Sequence, residues 1–193
     1  MIHGGMLQEP SRLVKCAIDV LQEYRGTREL LTIHSSVGLV QKWEPPTGSS
    51  YKINFDAAVF VEINASSVGV IVRNDKGETM AALSASGPPV QDSKEAKVLA
   101  CRRALEFAIE AGFTELVLEG DNSIVMKSIM SPQPNMSRLG HAYEDKKCIA
   151  ARLSRVEVSF VKRSANAVTH ALAKHARQID EEVVWLGRSS ACY

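Results

Sequence analysis

The sequence contains no apolar run that approaches the roughly 20 residues needed to cross a bilayer. Its first residues, Met-Ile-His-Gly-Gly, also lack the charged and then apolar arrangement of a secretory signal. These absences exclude the usual membrane-spanning functions. We therefore expect a soluble intracellular protein without a membrane partner, in the nucleus or the cytoplasm.

Cysteine is scarce, with Cys16, Cys101, Cys148 and Cys192 far apart and in no C-x-x-C pair. Widely separated cysteines argue against a zinc site or a disulfide framework and favour reduced thiols.

An excess of charge of one sign is also missing, because the formal net charge is only +1. The charges are unevenly distributed, however. Residues 138–177 contain nine Lys and Arg residues against three Asp and Glu residues. Such asymmetry can create a basic face, which predicts a nucleic-acid partner. An ordinary solvated helix face is the alternative interpretation.

A chain of 193 residues has room for one domain and a shorter additional segment. Residues 1–42 are predicted to be a leader, partly helical or disordered, with a candidate helix from Pro10 to Tyr24. The proline-rich stretch 43–50 favours a boundary, since proline prevents regular pairing. We expect a domain at 43–180 and a frayed tail at 181–193.

Within the domain, alternating and helical periodicities predict elements in the order β-β-β-α-β-α-α-β-α. The expected strands lie at 51–56, 68–73, 78–86, 116–118 and 156–161, and the expected helices at 93–111, 122–130, 137–153 and 166–179. This order predicts an α/β fold (an α+β mixed sheet). Three antiparallel strands would be followed by two helix-linked strands, with helices on both faces of a five-stranded sheet.

Several segments, in register along residues 43–178, resemble the plant type of ribonuclease H domain, a type-1 family often found in retroelement-derived genes. The matching segments are Trp43-x-Pro45-Pro46, Lys52–Asp56, Gly69–Glu78, Ala96–Leu105, Leu118–Asn122 and Arg163–Ala173. The resemblance implies the ribonuclease H-like fold. It also implies cleavage of RNA in an RNA–DNA hybrid by two Mg²⁺ ions that four carboxylates hold.

Two of these four metal-ligand positions keep a carboxylate in this sequence. Asp56 and Asp121 match the family ligands on the first strand and at the end of the fourth, whereas Lys97 and His170 stand where the family has Glu and Asp. An ammonium about 4 Å from a divalent ion would repel it by roughly 8 kcal/mol before solvent relaxes, at an effective dielectric near 20. The resemblance therefore predicts an impaired nuclease, with Mg²⁺ bound only if the domain is active.

Each of these residues also has a simpler interpretation. Asp56 could be solvent-exposed, Asp121 could cap the next helix, and His170 could lie on a solvated helix face. Glu95, near Lys97, fits a capping box with Asp92 better than a substitute metal ligand. Glu119 is the nearby carboxylate that could compensate, and we expect that it does not.

Three functions stay open at this point. They are a silent binder of RNA–DNA hybrid or double-stranded RNA, a weakly active Mg²⁺-dependent hybrid ribonuclease, and a non-catalytic protein-interaction domain. The first is preferred because phosphate binding requires only distributed Lys and Arg side chains. Arg163, Asn166 and Lys174 are the predicted nucleic-acid contacts, in a protein expected to be a monomer.

Overall fold

A computed structural model describes residues 6–8, 41–48, 50–131 and 148–187. The strands are β1 (Met6–Gln8), β2 (Tyr51–Phe60), β3 (Ala65–Arg73), β4 (Thr79–Gly87), β5 (Glu115–Gly120), β6 (Arg155–Phe160) and β7 (Val183–Leu186). The helices are α1 (Ser93–Glu110), α2 (Ser123–Met130) and α3 (Ala167–His175). Short 3-10 turns cover Val61–Ile63, Arg163–Asn166 and Ala176–Gln178.

One mixed sheet has the strand order β1-β7-β4-β3-β2-β5-β6. Strands β2, β3 and β4 form an antiparallel meander, while β5 runs parallel to β2 and β6 runs parallel to β5. The predicted fold class and the antiparallel and helix-linked strands are thus confirmed.

The predicted strand count was wrong, because the described residues alone form a sheet of seven strands rather than five. Residues 183–186, expected to fray, form β7 and pair antiparallel with β4, and β1 pairs parallel with β7. Val183, Val184 and Trp185 are buried there, and their burial favours an ordered strand on an otherwise open edge.

Two predicted helices fall largely outside the described residues: the candidate helix of the leader, and the helix expected at 137–153, of which residues 148–150 are seen as helical. The division into leader, domain and tail stays a prediction. Among the described helices, none has both the length and the apolar character that spanning a bilayer demands.

The two faces of the sheet are covered by different helices because side chains alternate along each strand. Ile53 and Phe55 of β2 belong to the larger buried cluster, together with residues of α1 such as Leu105. Ile71 of β3 faces the other way and packs in a smaller cluster with Leu172 of α3.

Helix α3 lies unusually close to β3 because Gly69 has no side chain. A Cβ at Gly69 would overlap the Thr169 carbonyl oxygen and lie 2.4 Å from the Ala173 nitrogen. Two buried hydroxyls hold the helix in place: Ser67 Oγ donates to the Ala173 carbonyl at 2.5 Å, and Ser84 Oγ donates to the Leu172 carbonyl at 2.8 Å. Small residues on β3 and β4 therefore set the position of α3.

Gly69→Ala should push α3 away from the sheet, since the overlapping atoms belong to the helix backbone and cannot rotate aside. Overpacking of this kind destabilises by about 1–3 kcal/mol. Chemical denaturation should show a lower free energy of unfolding with an unchanged denaturant slope. Wild-type stability in this variant would mean that α3 is free to shift.

Candidate nucleic-acid site around Asp56 and Asp121

The register of the parallel strands brings the two family carboxylates to one end of the sheet. Asn54 of β2 pairs with Glu119 of β5, so two residues further along each chain Asp56 lies level with Asp121. Asp56 is 1% exposed, which excludes its interpretation as a solvated residue.

Asn122, rather than Asp121, caps α2, because its side chain accepts hydrogen bonds from the Ile124 and Val125 amides. Asp121 is therefore left for other contacts.

Lys97 of α1 joins these two carboxylates. Its Nζ lies 3.1 Å from Asp56 Oδ1 and donates a short hydrogen bond to Asp121 Oδ1. The side chains of Asp56, Asp121 and Lys97 are only 1%, 5% and 17% exposed, so the charges interact with little solvent screening. The ammonium occupies the space between two acids that would otherwise repel each other.

Capping of α1 fixes where Lys97 points. Asp92 accepts a hydrogen bond from the Glu95 amide, and Glu95 Oε2 accepts one from the Gln91 amide. The predicted capping role of Glu95 is thus confirmed. Two residues further along the helix, Lys97 faces the carboxylates.

His170 of α3 contacts Asp56 from the other side of the sheet, so its interpretation as a solvated residue was wrong. His170 Nδ1 lies 2.8 Å from Asp56 Oδ2, and His170 Nε2 lies 3.3 Å from Arg163 Nη2. Both ring nitrogens of His170 therefore contact residues of this chain.

The pKa of Asp56 reflects this enclosure. Burial favours the neutral acid, but the hydrogen bond from His170 and the charge of Lys97 outweigh burial and hold the pKa of Asp56 below its ordinary value of 3.8. Asp56 is therefore an ionised carboxylate at neutral pH. Its Oδ2 is hydrogen-bonded to His170, whereas its buried Oδ1 faces Lys97 at ion-pair distance without a hydrogen bond.

A second polar network lies next to these residues, and sequence patterns did not predict it. Glu119 Oε1 pairs with Lys52 Nζ at 2.8 Å, and Glu119 Oε2 accepts from Asn54 Nδ2 at 2.9 Å. Asn54 Oδ1 in turn accepts from Arg73 Nη2 at 2.7 Å. The two carboxylate oxygens of Glu119 are therefore bound by Lys52 and Asn54 rather than directed at Asp121. This agrees with the expectation that Glu119 does not compensate for the substituted carboxylates. The polar alternation of Lys52, Asn54 and Asp56 was the available signal.

Trp43 packs against this network. The Arg73 guanidinium stacks 3.4 Å from the centre of the Trp43 ring, and burial lowers the pKa of Arg73 to about 10 although Glu119 opposes that shift. A cavity of about 490 Å³ beside it is lined by Trp43, Lys52 and Glu119, and not by Asp56 or Asp121. The stretch that we predicted to mark a domain boundary therefore has its tryptophan packed against Arg73 of β3.

The three predicted nucleic-acid contacts have different surroundings. Arg163 and Lys174 are exposed, and Arg163 contacts His170. Asn166 is only 1% exposed, and its Nδ2 donates to the Phe55 carbonyl at 2.8 Å. Asn166 thus ties the start of α3 to β2, and its burial places it out of reach of a ligand on the surface.

The donor set does not fit a magnesium ion. Mg²⁺ requires several oxygen ligands at once, whereas here an ammonium lies between the two carboxylates and the imidazole nitrogen faces a guanidinium. Across residues 6–8, 41–48, 50–131 and 148–187, no group of three or more His, Cys, Asp or Glu side chains could hold a metal ion.

Lys97→Met should destabilise the protein by about 3 kcal/mol at neutral pH, because it leaves two buried carboxylates without their cation. Ionised Asp56 stabilises the fold above its ordinary pKa of 3.8, and this contribution is lost as the pH falls through the lower pKa of the folded state. The difference between variant and wild type should therefore shrink towards zero in acid. Urea denaturation of both proteins from pH 7 to pH 3 measures this difference in the free energy of unfolding.

Arg155→Met is the control, since the Arg155–Glu157 pair is exposed and its loss should cost less than about 1 kcal/mol. A loss for Lys97→Met that is as small, or that is independent of pH, would contradict the charge argument.

Comparisons with known proteins agree with this fold. Residues 54–176 match the family model described as reverse transcriptase-like. RNase H1 from the archaeon Halobacterium salinarum is 22% identical, with a TM-score of 0.61, over 67% of this chain and 98% of that one. An N-terminal RNase H domain from Mycobacterium tuberculosis is 18% identical, with a TM-score of 0.60, over 68% and 95% of the two chains.

LC11-RNase H1, solved in complex with an RNA/DNA hybrid, is 18% identical, with a TM-score of 0.58, over 66% of this chain and 96% of that one. No curated protein sequence matches this chain significantly. At such identities the solved structures establish the fold, and the family model establishes membership. The chain belongs to the reverse transcriptase-like family and has the fold of ribonuclease H.

Proposed function

We propose that this chain is a nucleic-acid-binding, ribonuclease H-like domain whose metal-dependent cleavage is lost or strongly impaired. The observation behind this proposal is the position of the Lys97 ammonium, which contacts both Asp56 and Asp121. The Lys97 ammonium therefore occupies the position between Asp56 and Asp121 that a divalent ion would need.

Electrostatics support the loss of the metal. A divalent ion would have to displace Lys97 from a buried ion pair and then remain near it, against a repulsion of several kcal/mol even after screening. His170 offers no replacement ligand, because its Nδ1 contacts Asp56 and its Nε2 contacts Arg163. Lys97 and His170 together leave Asp56 and Asp121 neutralised and hydrogen-bonded.

Binding of nucleic acid, unlike its cleavage, does not require a bound metal ion. Exposed Arg163 and Lys174 provide cations near the site, and phosphate contacts need only such distributed charges. An RNA–DNA hybrid is the preferred ligand, since LC11-RNase H1, a structural relative, was solved with one. Within the family, the plant type fits best, on the strength of Trp43-x-Pro45-Pro46 and the other matching segments.

Binding should be dominated by phosphate contacts and should therefore weaken steeply with salt. Between about 50 and 200 mM salt, hybrid affinity should fall with a log–log slope of a few units. Arg163→Gln or Lys174→Gln should each reduce the slope by about one. Fluorescence anisotropy with a labelled hybrid measures both quantities, and Arg155→Gln, which removes an exposed cation at the opposite end of β6, is the control.

A flat salt response, or no binding at low salt, would contradict nucleic-acid binding and leave a protein-interaction domain as the better interpretation.

Restoring the two carboxylates should restore the nuclease. Lys97→Glu alone should allow some Mg²⁺ binding, because it removes the largest repulsion, and Lys97→Glu with His170→Asp should cleave RNA in a hybrid measurably. Adding Asp56→Asn should abolish that cleavage again, which makes the triple variant the matched control. Isothermal titration with Mg²⁺ and a gel assay of hybrid cleavage provide the measurements.

Cleavage by the unmodified protein as fast as by the double variant would show that the site is active as it stands. A folded double variant that binds no Mg²⁺ would show that Lys97 and His170 are not the cause of impairment.

A further inference from the structure

Large hydrophobic side chains are exposed at two places on the part of the chain that the structure describes. Val61 and Ile63 lie on the turn between β2 and β3, whereas Ile124 and Phe160 are 58% and 51% exposed. We call the second pair the rim patch, because its members flank Asp121. Single exposed hydrophobic residues are common, but an aromatic ring beside a polar site presents a flat apolar face that a ligand can contact.

The sheet register places Phe160 at the site. Phe160, the last residue of β6, pairs with Gly120, the residue directly before Asp121. Val156 and Val158 point to the same face of β6 and are partly buried against the core, whereas Phe160 is exposed at the strand end. Ile124 follows Asp121 by three residues, in the first turn of α2.

Positive charge surrounds the rim patch. Lys127 is exposed one helical turn after Ile124, on the same face of α2. Arg163 is exposed three residues after Phe160 and is linked to Asp56 through His170. The acids nearest in sequence are Asp121, which is neutralised by Lys97, and Glu157, which pairs with Arg155. An apolar surface with cations around it matches a nucleotide, which has an apolar base and an anionic phosphate.

We propose that the rim patch is a stacking platform for an unpaired nucleobase of the bound nucleic acid, with Phe160 as its ring. This inference rests on the proposed function and adds a preference to it. Bases inside a continuous duplex are stacked on their neighbours and offer only their edges, so a ring can stack on a base only at a strand end or an unpaired position. The chain should therefore bind a hybrid with a single-stranded extension better than the same hybrid with blunt ends.

The test compares these two hybrids, with the full chain and fluorescence anisotropy at low salt. The wild-type protein should prefer the extended hybrid, and Phe160→Ala should weaken that complex by about tenfold, the loss expected for one base–aromatic stack. Its affinity for the blunt hybrid should change by less than about twofold, within the usual effect of a surface substitution. Phe160→Trp should keep or increase the preference, which separates stacking from a structural role.

Val61→Ala is the matched control, because Val61 is 81% exposed on the turn between β2 and β3, outside the rim patch. It should leave both affinities unchanged. Ile124→Ser supplies a second test that does not alter β6, and it should weaken only the extended complex.

The possible failures are distinguishable. If neither hybrid binds at low salt, the proposed function itself fails. If both hybrids bind equally and Phe160→Ala changes neither, this inference alone is overturned. If Phe160→Ala instead abolishes self-association in analytical ultracentrifugation without changing either affinity, the rim patch is a contact between copies of the chain and the stacking proposal is wrong.

Discussion

The ion pair of Lys97 with Asp56 and Asp121 is the contact on which the rest of the site depends. It joins α1, β2 and the end of β5, the three elements that meet at this end of the sheet. Two carboxylates this close and this buried could not both stay ionised without a cation. In this chain the cation is the side chain of Lys97. His170 adds a fourth element, α3, through the remaining oxygen of Asp56.

Close packing makes that fourth contact possible. Gly69 lies opposite Asp56 in the antiparallel register, and its missing side chain lets α3 approach β3. The same approach brings His170 within hydrogen-bond distance of Asp56. A packing constraint and a polar site thus share one strand position, which explains why small residues, Ser67 among them, line this part of β3.

The buried carboxylates on this sheet form ion pairs and hydrogen bonds with other residues of the chain. Glu119 is held by Lys52 and Asn54, and Asp56 by Lys97 and His170. Each of these buried acids has its cation within the protein, while Arg163 and Lys174 are exposed near the site. The proposed phosphate binding rests on these exposed cations and does not require a metal ion.

Sequence patterns predicted the fold class and the order of the central strands and helices, because alternation, helical spacing and capping are local properties. The capping box of Glu95 is one such local feature. The four site positions were predicted from the resemblance to ribonuclease H instead. Only the tertiary structure decided that β7 adds to the sheet and that Asn166 is buried, since burial depends on contacts between distant segments. It also decided that Lys97 lies between two acids rather than in solvent. A sequence states which residue stands at a position, but the partners of its charge are fixed by the packing of elements far apart in the chain.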